Sequence, residues 1–313
     1  MIRFLVRRLL TAVLVLWIVM SSVFVLVNVV GDPARAALGD KASSAQLDAF
    51  RKKHGLDLPL GRRYAQYLGQ LATLQLGTSF QDEQPVTALI ARRLPRTLLL
   101  GAMALGFELV LGLGAGIVAA LYRKTWVDTG VMALTFVGIS MPTFVTGLWL
   151  LGYFAFRLGW FPIGGYGVTA LDHVRHAILP ALTLAVVGAA TYARLMRSEL
   201  IEALKSDYVR TARAKGLSMR RVVLVHATRN ALVPIVTLLS VSLRIVVSGA
   251  VITETIFGWP GMGRLAFEAV SGLDLPVVLG IVFVACGVVQ LGNLLADVAV
   301  AAIDPRLRER ATR

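Results

Sequence analysis

The chain has 313 residues, 57% of them hydrophobic, and 32 Lys and Arg against 18 Asp and Glu, for a formal charge of +14. A mean hydropathy of +0.73 is too apolar for a soluble domain of this length, whose surface must be wetted. The basic excess would suggest nucleic-acid binding in a soluble chain; in a bilayer protein it is explained by cytoplasmic loops, which collect Lys and Arg.

The first element is an apolar run over 9–30, preceded by Arg3, Arg7 and Arg8. It outruns the hydrophobic region of a signal peptide, and Gly31-Asp32-Pro33 offers a turn rather than a small-x-small cleavage site, so 1–31 reads as a short N-terminus with a retained membrane helix. Segment 32–96 reads as a partly helical extracytoplasmic subdomain. Ser44 caps a helix over 45–54 that Gly55 ends, Pro59 opens a second helix and Pro85 a third. Leu60, Tyr64, Leu68 and Leu71 share one face of the second, which should lie on something apolar. The subdomain either docks a soluble delivery protein or is structural cover.

Further runs long enough to cross roughly 30 Å of hydrocarbon lie near 97–121, 127–157, 177–196, 231–253 and 276–302. With the first they make about six crossings, giving a transmembrane core over 97–302 and a tail over 303–313. The 127–157 run exceeds what a crossing needs, and Pro142 after Gly138 predicts a tilt or bend. Pro180 should start or kink the fourth span. With the N-terminus inside, more than half of the 32 basic residues fall on the inner side, whereas 158–176 holds Arg175 and 254–275 holds Arg264. Both termini are therefore expected in the cytoplasm.

Within the spans, Gly112, Gly114 and Gly116 read as a small-residue packing stretch without a strict G-x-x-x-G. Glu108 and Arg244 sit near the middle of theirs. A charge there costs at least about 2.5–3.5 kcal/mol, so each should face protein or water. Equal depth and opposite sign suggest an intramembrane pair, with pathway lining as the alternative. Cys286 reads as a buried small hydrophobe. The four histidines lack metal-ligand spacing, so no metal site is expected, and no nucleophile–base arrangement emerges.

The most informative stretch is 198–230. Ile201, Leu204, Tyr208 and Ala212 recur at helical spacing. Gly216 suits the left-handed position that ends a helix, Leu217 can pack back over that end, and Ser218 can cap the next helix. A DNA-binding helix-turn-helix has this look, but a segment clamped between two spans cannot enter a groove, so no nucleic-acid partner is expected. Either it packs on the membrane surface, or it docks a cytoplasmic partner and converts its push into helix movement. In the next loop, Pro260-Gly261 and Gly263 break helix, and Phe257, Trp259 and Met262 are apolar enough to sit at the membrane interface.

Asp207-Tyr208-Val209-Arg210-Thr211-Ala212-Arg213-Ala214-Lys215-Gly216-Leu217-Ser218, followed by His226 and Arg229-Asn230-Ala231-Leu232-Val233-Pro234, resembles the coupling-loop signature of permease subunits of ATP-binding-cassette importers in the peptide/opine/nickel uptake group. The broader importer signature has Glu-Ala-Ala where this chain has Arg210-Thr211-Ala212, a departure usual in this group. Gly55-Leu56-Asp57-Leu58-Pro59, Leu76-Gly77-Thr78-Ser79-Phe80, Leu94-Pro95-Arg96-Thr97-Leu98, the block from Glu254 to Leu265, and Asp304-Pro305-Arg306 also match, in order along the chain.

The resemblance implies an all-α polytopic membrane protein with the type I importer permease fold, about six transmembrane helices and no catalytic activity. It implies half of a translocation pathway for di- or oligopeptides in a bacterial inner membrane, with glutathione or a nickel chelate as alternatives. The implied partners are a second permease subunit with which the chain forms a heterodimer, two ATPases that use ATP and Mg, and an extracytoplasmic binding protein. This chain has no G-x-x-x-x-G-K-[ST] loop and should bind no cofactor itself. Coupling would fall to Asp207, Tyr208, Arg210, Thr211, Ala212, Ala214, Lys215, Gly216 and Leu217, with Gly216 irreplaceable and Ala212 in close contact. The external gate would involve Glu254, Phe257, Trp259, Pro260, Gly261 and Gly263. An ion-coupled carrier would show inverted repeats, which are not seen.

Overall fold

The structure, a computed structural model, describes residues 2–30, 33–39, 42–232, 234–235, 238–239 and 251–303. Among these the chain is helical, with one isolated bridge between Thr78 and Pro85. Helices α1 (Ile2–Val30), α2 (Pro33–Leu38), α3 (Ser44–Lys53) and α4 (Leu60–Ala72) precede the long α5 (Val86–Leu121). Then come α6 (Trp126–Ser140), α7 (Thr143–Leu150, continued by a π-helical stretch Leu151–Arg157) and α8 (Ala170–Lys205). The remainder are α9 (Asp207–Ala214), α10 (Met219–Arg221, continued by a π-helical stretch Val222–Ala227), α11 (Val251–Ile256), α12 (Met262–Ser271) and α13 (Leu275–Ile303).

Four described helices are long and apolar enough to cross a bilayer: Val6–Leu26, Val86–Leu121, Ala170–Lys205 and Leu275–Leu294. The run expected to cross at 127–157 is a broken pair, α6 and α7, meeting at 107°. Proline explains the break. It pushes the residue before it out of helical conformation, and Met141 (ψ 126°) and Pro142 (ψ 137°) are both extended. Most of the expected span 231–253, including Arg244, lies outside the described residues.

Several boundaries differ from expectation. Ser43, not Ser44, caps α3, in a reciprocal capping box with Gln46. The third helix and second span are one helix, α5, because Val86, Leu89, Ile90 and Leu94 place an apolar stripe on Met262, Leu265 and Val277, which rewards helix well before residue 97. Pro180 does not start the fourth span: α8 begins ten residues earlier, at a Thr169–Asp172 capping box, and carries Pro180 inside.

The described residues fall into two compact units, one drawn from Met1–Thr97 and Pro260–Leu291, the other from Leu98–Trp259 and Gly292 onward. In the first, Leu16, Met20 and Phe24 form an i, i+4 stripe on α1 that packs on Tyr64, Tyr67, Leu68 and Leu71 of α4 and on Leu279, Val282 and Phe283 of α13. The amphipathic reading of α4 therefore holds, except that Leu60 is exposed and Tyr67 takes the buried place. Elsewhere on α1, Val6, Leu10, Val13 and Trp17 are exposed and apolar, as a lipid-facing surface must be.

The second unit is built around α8, whose Ala177, Ala181, Ala185, Ala190 and Ala193 are buried. Gly112 and Gly116 stand four apart and form a G-x-x-x-G pair, more specific than a loose packing stretch. A Cβ on Gly112 would lie 2.7 Å from the Ala189 carbonyl oxygen, and one on Gly116 would lie 2.6 Å from that of Ala193. Only a missing side chain lets α5 lie this close to α8.

Candidate functional site: coupling loop and gate segment

Helix α8 stops at Ser206, whose extended backbone (ψ 156°) redirects the chain into α9. The end of α9 is a Schellman turn: the Gly216 N–H donates to the Arg213 carbonyl (2.9 Å) and the Leu217 N–H to that of Ala212 (3.3 Å). Gly216 has φ +79°, a conformation that costs a side-chain-bearing residue roughly 1–2 kcal/mol. A Cβ there would meet nothing within 4 Å, so the need for glycine is conformational and not steric. Ser218 precedes α10 with extended backbone, but its side chain makes no capping bond.

Beneath the turn, Val209, Ala212 and Val222 are buried together, with Leu217 packed against them. This divides the nine residues assigned to coupling. Ala212 and Leu217 belong to the loop's own small core. Asp207, Tyr208, Arg210, Thr211, Ala214, Lys215 and Gly216 are exposed. The Arg210–Asp207 pair (3.5 Å) is fully on the surface and adds little stability.

One arrangement near the loop was invisible in the sequence. Arg197, on the last turns of α8, grips Asp128 of α6 with both arms: Nε donates to Oδ1 at 2.6 Å and a terminal nitrogen to Oδ2 at 2.7 Å. Asp128 is buried, and its Oδ2 also accepts the Lys124 backbone N–H (3.1 Å). Lys124 has φ +65°, a rare conformation for a residue with a side chain. A bidentate pair fixes orientation as well as distance, so α6 is bolted to α8 eight residues before the latter ends. The partners are 69 residues apart, too far for any local periodicity to link them.

The gate segment divides between the two units. In the second, α11 ends in another Schellman turn: Gly258, φ +57°, donates to the Thr255 carbonyl (3.2 Å), and Trp259 to that of Glu254 (2.8 Å). Phe257, Trp259 and Glu254 are almost wholly buried. This corrects the expectation that Phe257 and Trp259 sit at the membrane interface. Trp259 packs with Leu100, Ala104, Ala177 and Ala181, and Tyr166 meets it edge-on at 5.0 Å. The loop 158–169 folds over this turn: the Gly165 N–H donates to the Phe257 carbonyl (2.9 Å), and a Cβ on Gly164 would lie 2.6 Å from that oxygen.

In the first unit, Gly261 and Gly263 are buried, Pro260 is half-buried, and Met262 joins Val86 and Leu89 in the core instead of lying at the interface. The Met262 N–H donates to Thr97 Oγ1 (2.7 Å). The Leu76–Phe80 motif has a structural task here: Ser79 Oγ donates to buried Asp274, which also accepts the Phe80 N–H (3.1 Å). Asp274 carried no signal beyond its charge, because its partners lie nearly two hundred residues away in sequence.

Glu108 is buried in the second unit against Gly188, where any Cβ would overlap its carboxyl group. Among the described residues, its Oε2 has no hydrogen-bond partner; Arg244, its expected counterpart, is outside them. No group of three His, Cys, Asp or Glu among the described residues could hold a metal ion.

Long apolar helices, a span broken at a proline and a helix–turn–helix at the end of the long α8 are the features of a helical membrane transport subunit. The chain belongs to the binding-protein-dependent transport system inner membrane component family, which it matches over residues 112–309, while residues 1–101 match the N-terminal part of such membrane components. It is 38% identical over 309 residues to the glutathione transport system permease protein GsiC of Pectobacterium atrosepticum, covering 98% of this chain and 99% of the relative. It is likewise 38% identical over 335 residues to the di/tripeptide transport system permease protein DppB of Pseudomonas aeruginosa, covering 99% and 100%. A chain of the inward-facing MetNI methionine ABC transporter superposes with a TM-score of 0.58 at 19% identity, over 69% of this chain and 96% of that one. The chain therefore has the type I permease fold and is a non-catalytic membrane subunit of an ATP-driven importer, working with ATPases and a substrate-binding protein.

Proposed function

We propose that the exposed side of α9 and its turn is the surface on which cytoplasmic ATPases act, and that the chain forms half of a pathway for di- or oligopeptides. The observation that carries this reading is the two-sided build of the loop. Val209, Ala212, Leu217 and Val222 hold it rigid from within, leaving Tyr208, Arg210, Thr211, Ala214 and Lys215 outward. The Asp128–Arg197 bolt ties the helix leading into it to the broken span. A push on such a surface moves helices rather than deforming a loop, and the loaded ATPase shifts the equilibrium through its differential affinity for the two states.

Both termini lie in the cytoplasm on this reading, which the distribution of Lys and Arg supports. The second permease subunit is a different chain, and ATP and Mg belong to the ATPases. The buried turn at Glu254–Trp259 serves the external gate as a rigid support, and Pro260, Gly261 and Gly263 belong to the gate segment that follows it in sequence. Buried Glu108 is assigned either to an intramembrane pair with Arg244, which lies outside the described residues, or to the lining of the pathway. Peptide is preferred as cargo because of the likeness to a di/tripeptide permease; glutathione follows from the likeness to GsiC.

Replacement of Tyr208 by Ala tests the dock. Membrane level and assembly should remain while ATP-driven uptake falls at least about tenfold, and unimpaired uptake would refute the role. A competition series of dipeptides, longer peptides and glutathione on the cognate binding protein assigns the cargo.

A further inference from the structure

In the first unit, the end of α3, helix α4 and the turn leading to α5 line, with Phe24 of α1 and the start of α13, a cleft of about 160 Å³ that is open to its surroundings on one side. A single water needs roughly 10–15 Å³ by a comparable measure, so this space admits a solute of several heavy atoms. Its chemistry is one-sided. Arg63, His54, Gln66, Gln70 and Gln75 supply its polar wall, Phe80 stands among its apolar residues, and no Asp or Glu lines it.

Arg63 is half-buried, and no acidic side chain among the described residues pairs with it. Burial moves its pKa down from the usual arginine value, with no carboxylate nearby to offset that. His54 is held below its ordinary pKa by burial first and by neighbouring Lys53 second, against an upward pull from Glu83, and Arg63 is the one permanent cation of the wall. The ring packs at 4.7 Å from Phe80 and 4.3 Å from Phe50, which fixes that side of the cavity. The adjoining Tyr67 is buried, and its hydroxyl has no hydrogen-bond partner among the described residues. A half-buried guanidinium with no acidic partner among the described residues, beside amide groups and an aromatic wall, is what an anionic ligand with amides would complete.

We infer that this cavity binds a small solute carrying a free carboxylate next to an amide, the carboxylate on Arg63 and the amide on the glutamines of α4. Binding here needs neither ATPase nor translocation, so it stands or falls separately from the coupling reading.

The test uses the full chain in lipid nanodiscs, titrated by ligand-observed NMR with N-acetylglycine and with its neutral counterpart N-acetylglycinamide. N-acetylglycine should bind saturably, at least about tenfold more tightly than the amide, and binding should weaken as salt rises. Replacing Arg63 with Gln should weaken it at least about tenfold, whereas Arg63→Lys should retain part of it. Gln70→Leu, at an exposed position of α4, should also weaken binding and serves if Arg63→Gln fails to fold. Absence of saturable binding, equal binding of the amide, or binding indifferent to both Arg63→Gln and Gln70→Leu would overturn the inference.

Discussion

The turns at Gly216 and Gly258 have the same backbone design and opposite surroundings. In each, a left-handed glycine donates to the carbonyl three residues back, and the next residue donates to the one five back. After Gly216 comes Leu217, half-buried on a cluster of three small residues, and the rest of that turn faces outward. After Gly258 comes Trp259, fully buried among α5 and α8 residues and capped by Tyr166. Local geometry thus fixes how a helix ends, while the residue behind the glycine decides whether that end is a core element or a surface. The first turn suits contact with a moving partner; the second suits a fixed support.

The largest test of this contrast is Trp259→Ala, which should cost about 3–5 kcal/mol by cavity formation and collapse the melting temperature of the detergent-purified chain. Leu217→Ala, at a half-buried site, should cost far less, and equal losses would erase the contrast. Next comes the bolt. Asp128→Ala removes one partner of a mostly buried pair; because Arg197 is 28% exposed, the loss should be about 2–3 kcal/mol, below the range for full burial. A double-mutant cycle with Arg197→Ala should show strong coupling, and additive losses would mean that the pair does not hold α6 to α8.

Smaller effects sharpen the comparison. Gly216→Ala should destabilise by roughly 1–2 kcal/mol through its φ alone, since the space around it is open, and a thermal scan reads the shift. Smallest on stability, and largest on coupling, is Tyr208→Ala: within about 0.5 kcal/mol of the parent in the isolated chain, yet deficient in ATP-driven uptake.

Much of this was legible in the sequence. Apolar runs marked the described long helices, and Pro142 marked the break, because a bilayer demands length and proline forbids continuity. The turn at Gly216-Leu217 was also legible, since its signals are adjacent in sequence. Burial was not. Phe257, Trp259 and Met262 are the residue types that also populate membrane interfaces, and only the folding of 158–169 over Phe257 and the packing of Val86 on Met262 decide against that. The burial of Ala212 was likewise not legible, because its helix face cannot be assigned until Val222 returns to cover it. Asp128–Arg197 and Ser79–Asp274 are long-range pairs, for which a single sequence holds no register.

The most direct test of the central claim exploits the two faces of α9 in a background with Cys286 replaced by Ala. Ala214→Cys and Ala212→Cys differ by two residues and by side: Ala214 is exposed, Ala212 buried. In the complex assembled with its own ATPases, the cysteine at 214 should crosslink to the ATPase in a nucleotide-dependent manner, and the cysteine at 212 should not. Crosslinking from 212 with none from 214 would contradict the account.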